Sequence, residues 1–214
     1  MRNDLWLRKR TGWRVGGRHQ VRGQAMVEFA LILVPLMLIF MGILQFGLVF
    51  SSQLGLINSV REGARYGATL VTDGSNVGDA TTVGTPVYNV YCYTLGMDGS
   101  GRACTINGTP QTGTLGRAMP GYNQSNVCLT SGGVCGTSAS SVSYCSIENP
   151  DDTYSVRLNV TVAYRHPLIV PLIGSILDGI DGGAPDNALT ASTTEQFRVE
   201  GPPLSTQPAG INPC

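Results

Sequence analysis

Few residues in this 214-residue chain are of types that could do chemistry: six cysteines, two histidines, one lysine and a scatter of carboxylates. A hydrolytic triad needs a histidine held against a nucleophile and an acid, and no serine here stands in a G-x-S-x-G turn to pair with His19 or His166. Lys9 lies outside any glycine-rich phosphate loop. Asp178, Asp181 and Asp186 offer hard oxygen ligands among glycines, but their spacing is not that of a calcium loop, and they read as a solvated acidic turn. The sequence therefore assigns no catalytic residue, no metal and no cofactor.

The cysteines carry the clearer chemical signal. Cys92, Cys104, Cys128, Cys135, Cys145 and Cys214 show none of the two-residue gaps that paired zinc ligands favour, so disulfides are expected. Cys92 is expected to join Cys104, and two of Cys128, Cys135 and Cys145 to pair. Such bonds require an oxidising compartment.

One carboxylate sits where a charge is expensive. Glu28 stands at the lip of the run RGQAMVEFALILVPLMLIFMGILQFGLVF, Arg22 to Phe50, which is apolar almost throughout from Phe29. At ~1.5 Å per helical residue that apolar run spans roughly 33 Å, the thickness of a bilayer's hydrocarbon core. A membrane-spanning helix is expected, and an ionisable group at its edge is a functional candidate. Pro35 should bend this helix, Gly42 and Gly47 are not spaced as a dimerisation motif, and Gln45 is ambiguous.

The net charge of zero conceals a division. Arg2, Arg8, Lys9, Arg10, Arg14, Arg18 and Arg22 precede the helix against Asp4 alone, leaving the remainder acidic. Basic flanks stay inside, which predicts a plasma (inner) membrane protein, single-pass, with a cytoplasmic N-terminus and an extracytoplasmic C-terminal region. The apolar core is longer than that of a secretory signal and no small-residue cut follows it, so cleavage before the helix fits better than cleavage after it. The basic segment carries little aromatic or folded accompaniment beyond Trp6 and Trp13, and no nucleic acid is expected as a partner.

These residues need elements to position them. The helical period continues past Phe50, with Leu54, Ile57, Val60, Ala64 and Ala68 on one face, and predicts a rod of helix to about Tyr66. Residues 67–152, rich in Gly, Ser, Thr and Asn, read as long loops holding most of the cysteines, with a short strand at Val87 to Thr94. Alternation over Tyr154 to Tyr164, with Val156, Leu158, Val160, Val162 and Tyr164 on one side, predicts a half-buried strand. Leu189 to Val199 could pair with it antiparallel. The run Pro167 to Leu177 between them is too short to span a bilayer and could pack under the sheet or touch the membrane surface. The expected organisation is a basic leader over 1–23, a transmembrane and extended helix over 24–66, cysteine-containing loops over 67–152, antiparallel strands over 153–200 and an irregular proline-rich tail over 201–214. The fold class is α+β: a long N-terminal transmembrane helix, an amphipathic extension and a small antiparallel β-sheet with long disulfide-linked loops.

Gly23, Gln24, Glu28 and Phe29, a basic leader, the helix that follows and Arg61-Glu62-Gly63-Ala64-Arg65-Tyr66 together resemble the TadE-like family of minor pseudopilins of the tight-adherence (Tad) pilus. The resemblance covers about the first third of the chain. It implies cleavage after Gly23 by a prepilin peptidase, with Glu28 pairing with a subunit's new amine, here that of Gln24. It also implies Arg61, Glu62 and Arg65 in subunit contacts, although these could instead sit at the outer headgroups. The implied partners are the lipid bilayer, the peptidase, other pilin and pseudopilin subunits and Tad inner-membrane assembly proteins. The TadG-like relatives carry Asp-x-Ser-x-Ser, and the nearest runs here, starting at Asp73 and Asp98, lack the second serine. The rival reading is an unprocessed, signal-anchored extracytoplasmic adhesion or binding module.

Overall fold

A computed structural model describes residues 20–71, 77–130, 135–169 and 187–214. The chain divides into two compact units, Met1–Met41 and Gly42–Cys214. A single helix, α1, covers Gln20–Ala68 and keeps Pro35 within it. In the first unit its apolar side chains are exposed, among them Phe29, Leu31, Ile32 and Val34. Of the described helices it alone is long and apolar enough to cross a membrane.

In the second unit α1 is a packing element. Leu56, Val60, Ala64 and Ala68 are buried, at steps of four residues. Leu54, expected on this face, is 64% exposed. The reason is a neighbouring stripe of small residues: Gly55, Ser59, Gly63 and Gly67 are all buried and let other backbones come close. A Cβ on Gly55 would meet the Ala118 carbonyl oxygen at 2.7 Å, and one on Gly63 would strike Thr94. Glycine here makes room for contact, which a count of apolar side chains overlooks.

The segment 67–152 holds more regular structure than loops alone. A helix, α2 (Pro86–Leu95), stands where a strand over Val87 to Thr94 was expected. Thr85 caps it by accepting a hydrogen bond from the Tyr88 amide, Pro86 opens it, and Gly96 closes it in the left-handed conformation at φ 73°. Valines and tyrosines favour strands on exposed pleats, but Val87, Val90, Tyr91, Thr94 and Leu95 fall at helical spacing and all are buried. A two-stranded hairpin of β1 (Thr105–Ile106) and β2 (Thr109–Pro110) follows, then a short helix, α3 (Gly113–Ala118).

The main sheet consists of β3 (Ser141–Glu148), β4 (Tyr154–Pro167), β5 (Ala188–Arg198) and β6 (Asn212–Pro213), in the order β5-β4-β3-β6. β4 pairs antiparallel with both β3 and β5, so the strand with the clearest alternation is central. β6 lies parallel to β3. Val156, Leu158, Val160, Val162 and Tyr164 form the buried face of β4 and join the α1 and α2 residues in one core. The run expected at Pro167 to Leu177, and the carboxylates Asp178, Asp181 and Asp186, lie outside the described residues beyond Ile169. The loop at Asp73 does likewise.

Three disulfides staple this unit. Cys92 on α2 joins Cys104 before the hairpin, Cys128 joins Cys135, and Cys145 on β3 joins Cys214. By chain-entropy arithmetic they are worth about 3, 2 and 4 kcal/mol in that order, following their loop lengths.

Candidate processing and assembly site

Gly23, Gln24, Glu28 and Phe29 occupy the first turns of α1, where helical spacing sets Gln24 one turn before Glu28. The Gln24 side-chain Nε2 donates to Glu28 Oε1 at 3.0 Å. Glu28 and Phe29 are exposed, and no other bond holds the Glu28 carboxylate among the described residues. A Cβ added at Gly23 would meet nothing within 4 Å. Packing among the described residues therefore does not require a glycine at that position. The Gly23–Gln24 bond lies within the helix, and glycine lowers the helical preference there by about 1 kcal/mol relative to alanine.

The second group comes from the far end of α1. Arg61 Nε donates to Glu195 Oε1 on β5 at 2.8 Å, with the two side chains 60% and 24% exposed. An ion pair this open to solvent stabilises by no more than about 1 kcal/mol. Glu62 accepts from the Tyr93 hydroxyl at 2.8 Å, and the Tyr93 ring stacks on Tyr66 with centroids 4.2 Å apart. Burial, then the nearby Glu62, pushes the Tyr93 hydroxyl above its ordinary pKa. Arg65 is exposed and free of hydrogen bonds or ion pairs to described residues. Arg61 and Glu62 thus have partners inside the chain, and Arg65 remains outward. Sequence reasoning found neither Glu195 nor Tyr93, since nothing local links them to residues far earlier in the chain.

Asp98 Oδ1 accepts from the Ser100 amide and hydroxyl and from the Arg102 amide, closing its own turn. Among the described residues no cluster of three or more His, Cys, Asp or Glu could hold a metal.

The family model described as TadE-like protein matches residues 23–65. Over that segment the chain is similar to TadE-like proteins. The TadE-like match opens at the glycine before Gln24 and takes in Glu28 as well as Arg61, Glu62 and Arg65. The match covers only this part of α1 and shows what the chain is similar to there. The sheet and the disulfides lie wholly beyond it. No curated protein and no solved structure matches the chain.

Proposed function

We propose that this chain is a TadE-like minor pseudopilin, a structural subunit that acts by assembly, cut after Gly23 by a prepilin peptidase. The observation that carries the reading is the coincidence of the family match with the open, unpacked Gly23 ahead of Glu28 and an apolar helix. Cleavage would place a positive amine on Gln24, within the reach of the Glu28 carboxylate of the same or a neighbouring subunit. Two opposite charges at a membrane edge are tolerable together and costly apart. The seven basic residues before Gly23 support a cytoplasmic N-terminus, and the three disulfides support an oxidising, extracytoplasmic site for the second unit. Arg65, and the exposed side of the Arg61–Glu195 pair, are the places we assign to neighbouring subunits.

Deleting the chain from its native host should abolish or sharply reduce Tad pili, and re-expression should restore them. Undiminished piliation in the deletion strain would remove the assembly role and favour the signal-anchored binding module.

A further inference from the structure

Gln45 is a polar residue near the C-terminal end of an apolar run, yet it is only 2% exposed. Its Oε1 accepts the backbone amide of Ile169, just beyond the end of β4, at 3.0 Å. Toward the other end of the same strand, Leu158 touches the position where a Cβ on Gly67 would lie. β4 therefore runs antiparallel along α1 within the second unit. The lengths agree: the strand from Leu158 to Ile169 covers roughly 36 Å at ~3.3 Å per residue, and the helix from Gly67 back to Gln45 roughly 33 Å at ~1.5 Å per residue.

This geometry sets a depth. Gln45 lies five residues before Phe50, where the apolar run ends, or about 7 Å inside it along the helix axis. Around it Ile43, Leu44, Phe46, Leu48 and Phe50 are 42% to 66% exposed, over more than half the helix circumference, while Gln45 and Val49 are covered. Exposure that wraps a helix this widely suits lipid better than a one-sided protein partner. Next to Gln45, Leu168 is buried and Ile169 is 72% exposed.

We propose that the end of β4 is a second membrane contact, with Ile169 inserted in the outer bilayer interface beside α1 and Gln45 satisfying the backbone amide that lipid could not. The occupant of this apolar surface is the bilayer, because the surface is continuous with the spanning segment of α1. A backbone N–H in hydrocarbon must be bonded internally, which gives Gln45 its reason to be there. The proposal rests on the reading of α1 as a membrane anchor.

The test uses the full chain in phosphatidylcholine vesicles with or without brominated acyl chains, in a Trp6→Phe, Trp13→Phe background. Ile169→Trp reports on the strand end, where exposure tolerates the larger ring, and Phe40→Trp reports on the anchor. The expected result is that brominated lipid quenches both tryptophans. Quenching of Phe40→Trp without quenching of Ile169→Trp would overturn the second contact and leave the anchor standing. Absence of quenching at both would overturn the anchor reading, and the second contact with it.

Discussion

Among the described residues Glu28 holds a single bond, from the side chain of Gln24 one turn earlier, and that bond is one a new amine on Gln24 could replace with an ionic one. Glu28→Ala should therefore leave membrane insertion intact, measured as resistance to alkaline extraction, while sharply lowering pilus yield. Normal piliation in that variant would count against the charge pairing. Glu28 was legible in the sequence because a carboxylate beside an apolar run stands out against its surroundings. The Arg61–Glu195 pair was not, since its members lie 134 residues apart and only the folded sheet brings them together. Gln45 lay between the two: the sequence marked it as odd, but its partner is a backbone amide, which has no residue type to search for. Asp79 gives a pH prediction at this scale. Hydrogen bonds from the backbone and hydroxyl of Thr81 and of Thr82 lower its pKa from 3.8 to about 2. A depressed carboxyl stabilises the fold above its unfolded value and loses that contribution as pH falls through its folded one. Thermal melts of the wild type and Asp79→Ala should converge between about pH 4 and pH 2; a gap unchanged to pH 2 would contradict the assignment.

The N-terminal and C-terminal parts of α1 are built on different rules. The first carries large apolar side chains outward, and the second presents Gly55, Ser59, Gly63 and Gly67 to its neighbours so that α2, α3 and β4 can lie close. Gly63→Val should cost about 1–3 kcal/mol, because Thr94 sits where the new Cβ must go. Gly47→Ala, with nothing within 4 Å of its Cβ, should be neutral or stabilising by under about 1 kcal/mol. Denaturant midpoints of the detergent-solubilised chain would measure both, and equal effects would contradict the close-packing role of Gly63. Strand β4 was legible because apolar Val156, Leu158, Val160, Val162 and Tyr164 alternate with Arg157, Asn159 and Thr161 and form its buried face. The helix α2 was not read, although Thr85-Pro86 and Gly96 announce its ends, because strand-favouring side chains outweighed a helical spacing that only burial against α1 makes decisive.

At the scale of the whole molecule, covalent staples compensate for a head whose segments between regular elements are long and polar. The Cys92–Cys104 bond was expected, and Cys128–Cys135 is one of the three pairings left open among Cys128, Cys135 and Cys145; Cys145–Cys214 spans 69 residues and fixes β6 against β3. Replacing Cys145 and Cys214 together by serine should cost about 4 kcal/mol, measured by denaturant unfolding against the wild type, and a loss near zero would show that the sheet holds this end unaided. The TadE-like match over residues 23–65 and the long apolar helix are what the proposed subunit role rests on, and processing at Gly23 is the claim on which that proposal turns. The most direct measurement is the N-terminal residue of the membrane-extracted chain, by mass spectrometry, after expression with and without a prepilin peptidase. The expected result is a start at Gln24 only when the peptidase is present; an N-terminus still at Met1 or Arg2 beside an active peptidase would contradict it.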